Sequence, residues 1–122
     1  MKNFQIGKEI NRILTEGNAL NVTGKIFPLV ANPNTSFPFL VYRRLSYRPA
    51  NTKDGVGEII IIEVNIASET YNEGVDIANS VADILCSAHS QLIQRVQLIN
   101  VSEMFIQDTF IQNIQFQIEL QD

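Results

Sequence analysis

The stretch that decides the fold is Gly57–His89, GEIIIIEVNIASETYNEGVDIANSVADILCSAH. Its first half alternates. Ile60, Ile62, Val64 and Ile66 fall on one side of an extended chain, with Ile59, Ile61, Glu63, Asn65 and Ala67 on the other. The first side reads as core. The second turns polar toward its C-terminal end, as expected of a strand leaving its cover. Ile59 and Ile61 on that side need burial by a sheet neighbour or by a partner chain. The second half of the stretch changes period. Thr70 and Glu73 form a T-x-x-E capping pattern at a helix start. Tyr71, Val75, Ala78, Val81, Ala82 and Leu85 define a buried face, which Ile77, Ile84 and Ala88 widen. A helix over Tyr71–Ala88 follows, and its small residues Ala78 and Ala82 would let it lie close to a sheet. Cys86 falls within this pattern and reads as a buried small hydrophobe.

Upstream, Ile6, Ile10, Ile13 and Leu14 lie on one helical face, so the spacing predicts a helix over Phe4–Glu16. Gly17 and Asn18 supply its stop. Asn21–Phe27 reads as a short strand ended by Pro28, and LVANPNTSFP, Leu29–Pro38, as a loop. Phe39–Tyr47, FLVYRRLSY, is a strand with apolar residues on both faces. Arg43 sits among them. It is either an edge arginine whose stem packs while its head reaches water or a subunit contact. Arg48–Val56 is the polar tip of an extended hairpin. Arg43, Arg44 and Tyr47 in the strand, with Arg48, Lys53 and Asp54 in the loop, are the candidate subunit or partner contacts.

Downstream, Gln94–Ile106 and Phe110–Leu120 read as two strands of an antiparallel hairpin turning at Gln107–Thr109. In the second, Ile114, Phe116, Ile118 and Leu120 alternate with Asn113, Gln115, Gln117 and Glu119, which gives one face on core. The glutamines suit either a solvated face or hydrogen bonds across a subunit interface. The order is helix, strand, strand, strand, helix, strand, strand. It predicts an α+β fold: a mostly antiparallel sheet of about five strands with two helices packed on one face.

The chain has 122 residues and reads as a single domain, 1–122. Hydrophobic residues make up 45% and charged residues 18%, a globular rather than a disordered composition. The net charge of −4 argues against sequence-independent grip on nucleic acid, which needs clustered Lys and Arg. The N-terminal MKNFQIGKEINRIL lacks the apolar core of a signal peptide, and the longest pure apolar run is Ile59–Ile62. The expectation is a soluble chain, cytoplasmic when made, with no membrane partner. No cofactor or metal site is legible. Glycines are scattered, and one His (His89) with one Cys cannot make a Cys/His zinc site. Glu58 and Glu63 fall on opposite faces of a strand, roughly 16 Å apart. No catalytic residue can be named from such a pattern.

Three segments resemble small tail proteins of long-tailed bacteriophages and prophages, of the tail-completion or tail-terminator kind. They are GKIFP (Gly24–Pro28), FPFLVYRRLS (Phe37–Ser46) and IIIIEVNIASETYNEGVDIANSVADIL (Ile59–Leu85). The resemblance implies a structural virion role. Such a protein caps or completes the tail tube and joins it to the head-tail connector, and some relatives form hexameric rings. It implies contacts with copies of itself, with tail-tube protein and with the connector protein. It also implies a place in the host bacterial cytoplasm during assembly and then in the virion tail. By analogy, the Arg48–Val56 loop would face a ring lumen or a neighbouring tail component. The competing readings are a small ligand-binding or enzymatic α+β domain and a non-virion adaptor module.

Overall fold

The structure is a computed structural model that describes residues 4–19, 22, 24–49 and 57–121. Its elements are α1 (Ile6–Glu16), β1 (Ile26–Pro28), β2 (Phe39–Arg48), β3 (Ile59–Ser68), α2 (Tyr71–Cys86), β4 (Ile93–Ile106) and β5 (Thr109–Leu120). The strands form one sheet in the order β1-β2-β3-β5-β4. All neighbours are antiparallel except β1 and β2, which run parallel. The α+β architecture, the element order and the helices on one face are as the sequence predicts.

The alternation in β3 and β5 sets the faces. Ile60, Ile62, Val64 and Ile66 pair with Ile118, Phe116, Ile114 and Gln112, and this layer lies under the helices. α1 buries Ile6, Ile10, Ile13 and Leu14, the four residues its periodicity selects. Arg12 bridges Glu9 and Glu16 on its outer side. Asn18 takes the left-handed turn after the helix, at φ 58°.

Several expectations are corrected. The first strand is not Asn21–Phe27. It covers Ile26–Pro28, where Pro28 ends an edge strand and so costs no ladder bond. Asn21 and Thr23 lie outside the described residues. α1 starts at Ile6 rather than Phe4, and α2 stops at Cys86 rather than Ala88. The buried face of α2 is Gly74, Ile77, Val81 and Leu85: the last three are in the expected face, Gly74 is not, and Val75, Ala78 and Ala82 are only half-buried. Closest approach to the sheet is made at Gly74, not at the alanines. A Cβ there would lie 2.6 Å from Ser68 Oγ, so only glycine fits without a shift. Ala78 and Ala82 are half-buried beside it. With the helix seated this way, Tyr71 is exposed at its start. Cys86, about 100° round from Leu85, is exposed rather than buried.

The Thr70 cap forms as expected, its hydroxyl accepting from Glu73 N at 3.3 Å. Thr70→Ala is expected to lower stability by about 1 kcal/mol, seen as a lower urea midpoint with unchanged slope.

Candidate functional site

The helices cover one face of the sheet, and among the described residues no layer covers the other. The rungs of this open face run from strand to strand. Phe39, Ala67 and Ile111 stand level with Met104. Val41, Asn65 and Asn113 stand level with Ser102. Arg43, Glu63 and Gln115 stand level with Asn100. Together they form an open trough of about 690 Å³ with apolar walls, including Phe39, Met104 and Ile106, and a polar floor.

Glu63 is the centre of that floor. It is only 7% exposed although it lies on the uncovered face. This corrects the expectation that this side of β3 turns polar because it reaches water. Its carboxylate instead accepts from Arg43 Nε at 3.1 Å, Asn65 Nδ2 at 3.2 Å and Gln115 Nε2 at 3.2 Å. Asn113 Nδ2 donates to Asn65 Oδ1 at 2.6 Å and ties the ladder across β3 and β5. Burial pushes the Glu63 carboxyl up, but Asn113, Asn65, Gln115 and Arg43 together outweigh it and hold the group below the ordinary carboxylate range. Among the described residues, no buried side-chain polar atom lacks a hydrogen-bond partner. The arrangement fixes side chains. It offers no free base or nucleophile.

The second feature is the far half of the β4–β5 hairpin. Gln107 and Asp108 turn it with φ of 49° and 58°, the two-residue geometry that matches strand twist. β4 is buried only at Ile93 and Val96. From Leu98 onward it is the bare border of the sheet: Val101 and Phe105 on the helix side and Met104 and Ile106 on the open side are all exposed. Tyr71 braces this arm to α2. Its hydroxyl lies 3.0 Å from Glu103 Oε2, and Gln112 Nε2 donates to the same oxygen at 2.8 Å. The hydrogen bond to Glu103 and the charge of that carboxylate push the Tyr71 phenol above its ordinary range. Phe110 packs edge-on against Tyr71 at 6.0 Å and against Phe105 at 4.7 Å.

The residues singled out from sequence do not form one patch. Arg43 lies on the open face, at the point where β1 stops covering β2, and its head is half in water. Arg48 follows on the same face, level with Ile59. Arg44 is on the helix side, 4.9 Å over the Phe4 ring. Tyr47 is also on that side, half-buried, with Phe4 at 5.2 Å. Burial and then Glu58 push its phenol up. A register shift between Arg44 and Ser46 leaves Leu45 as the bulged, exposed residue. Lys53 and Asp54 lie outside the described residues. Sequence reasoning missed Glu103 and the apolar tip, Met104–Ile106. The available signal was in VSEMFI, where apolar residues occupy both parities of an edge strand and cannot all face one core. His89 is exposed. Among the described residues, no three His, Cys, Asp or Glu side chains gather as a metal site. No helix there is long and apolar enough to cross a membrane.

The model of a family described as "Tail completion protein gp17" matches residues 10–118. A chain from the solved structure "Virion of native gene transfer agent (GTA) particle" superposes with a TM-score of 0.65 at 12% identity. The match covers 93% of this chain and 92% of that one, a likeness of fold. No curated protein matches. The span of the family match, nearly the whole chain, decides the assignment: the chain belongs to the tail completion protein gp17 family and is a structural component of a virion tail, not an enzyme.

Proposed function

We propose that this chain completes the tail tube as a ring of its own copies and joins the tube to the head-tail connector protein. The observation that carries the reading is the β4–β5 arm, whose Val101, Met104, Phe105 and Ile106 are all exposed and which no other described strand or helix covers. Apolar side chains gathered bare at one border of a sheet, with polar groups beside them, mark a protein contact. The trough and the Arg43 and Arg48 side chains offer a second, more polar surface for tail-tube or connector protein. Arg44 and Tyr47, with Lys53 and Asp54 in the connecting loop, complete the proposed contact set. A closed ring of more than two copies needs two different surfaces per copy, and the β4 border and the Arg43–Arg48 side of β2 lie at opposite borders of the sheet. The likeness to a chain of the gene transfer agent virion supports a virion setting for this fold.

Light scattering over a concentration series, with and without tail-tube protein, tests the reading. The expected result is a mass well above the 13.7 kDa chain. Exchanging both Met104 and Phe105 for Glu is expected to reduce association by about 100-fold, because two charges would enter an apolar contact. A chain that stays monomeric under both conditions ends the proposal.

A further inference from the structure

The two borders of the sheet are each left open over part of their length. On one side, β1 pairs only with Leu40, Val41 and Tyr42 of β2. The last backbone bond across that border runs from Leu29 N to Tyr42 O, at 2.9 Å. From Arg43 to Arg48 no described strand lies on that side of β2. On the other side, β4 is the border strand and has no outer neighbour among the described residues. Its irregularities fall at Ile93/Arg95 and Leu98/Asn100, so Asn100–Ile106 is a regular extended edge. Natural sheets blunt such edges with Pro, Lys or bulges. Asn100–Ile106, NVSEMFI, has no Pro, no Lys and no bulge.

Strand direction and charge select what each edge fits. β2, β3, β5 and β4 alternate in direction, so β4 runs opposite to β2. A copy rotated about an axis along the strands therefore brings its β2 edge antiparallel to β4, and the alternation continues from one chain into the next. On the helix side, where the regular part of β4 carries its single charge, Glu103, the free part of β2 carries Arg44; Arg48 and Arg43, the latter bonded to Glu63, lie on the open side. Pairing β2 with β2 sets arginines together. Pairing β4 with β4 brings two Glu103 carboxylates to one contact. Only β4 against β2 joins opposite signs. Apolar surface is also matched: Leu29, 74% exposed, and the bulged Leu45 project at the β1–β2 border, while Val101, 52% exposed, and Phe105 project at the other.

We propose that the Asn100–Ile106 edge of β4 in one copy adds to the Arg43–Arg48 edge of β2 in the next, as one strand-to-strand, head-to-tail contact. The inference deepens the assembly reading above and rests on it. The Leu45 bulge limits the shared ladder to a few rungs, and Leu45, Val101 and Phe105 close the contact around them. Main-chain bonds then supply affinity and the arginine–glutamate pairing supplies direction.

The test uses the full chain with the exposed Cys86 replaced, Cys86→Ser. One preparation carries Leu45→Cys. Another carries Asn100→Cys, Ser102→Cys or Met104→Cys in turn. A short bis-maleimide is expected to join the first preparation to at least one of the second when they are mixed, and to join neither to itself. Val101→Lys is expected to weaken association by about tenfold or more while leaving the melting temperature within about 2 °C. Cross-linking of the β4 variants to themselves overturns the proposal in favour of a twofold contact. Association by light scattering with no mixed cross-link, or association unaffected by Val101→Lys, overturns it and leaves the assembly reading standing. A wild-type chain that never associates overturns both.

Discussion

Phe116→Ala is expected to remove about 3–5 kcal/mol of stability, the largest loss of any single truncation in the core. Phe116 is the bulkiest of the fully buried side chains. It stands on the helix side of β5, paired with Ile62 of β3 on one flank and Leu98 of β4 on the other. Ladders on both sides hold β5 in place, so the backbone cannot move into the space the ring leaves. The cost therefore includes an unfilled cavity as well as the lost transfer of the ring from water. A domain of this size has roughly 5–15 kcal/mol in total, so much of its margin goes with one residue. Urea unfolding of the purified variant checks this. A loss under about 1 kcal/mol would mean that the layer between sheet and helices is not packed as described.

Glu63→Leu is expected to cost about 1–3 kcal/mol, although leucine is apolar and similar in size. Removing the carboxylate strands Arg43 Nε, Asn65 Nδ2 and Gln115 Nε2, all of which now donate to it. Arg43 can turn into water, but the two amides belong to the floor of the trough. The effect depends on pH with a definite sign. The folded carboxyl is held below its ordinary range, so the unfolded chain binds the proton more readily. The stabilisation is therefore complete above the unfolded value and is lost as the pH falls from that value through the lower folded one. The stability gap between wild type and Glu63→Leu should be flat near neutrality and should narrow on acidification. A gap that widens as the pH falls would contradict the network. The same variant should also weaken tail-tube binding if the trough is a contact, because Arg43 loses the group that aims it.

Most of the architecture was legible in the chain. The period of two in Ile60–Ile66 and Ile114–Leu120, and the helical spacing of Ile6, Ile10, Ile13 and Leu14, each named a buried face that the structure keeps. Thr70 and Glu73 marked the start of α2. The errors cluster where a local pattern has more than one way to pack. On α2, Ile77, Val81 and Leu85 are buried as read, but Tyr71 is exposed and the unforeseen member of the face is Gly74, where Ser68 leaves no room for a Cβ. The bulge at Leu45 breaks the parity that FLVYRRLSY suggests.

What the sequence determined by itself is therefore the set of elements, their order and the layer that excludes water, because periodicity encodes which side of each element is apolar. Which polar residues would be buried, and which apolar ones would be left bare, was decided only by the tertiary structure. Glu63 is sheltered because three strands bring its donors to one place from positions far apart in the chain. Met104, Phe105 and Ile106 are exposed because β4 is the border strand of the sheet and the helices pack over its inner neighbours, and which strand takes the border is not written within β4.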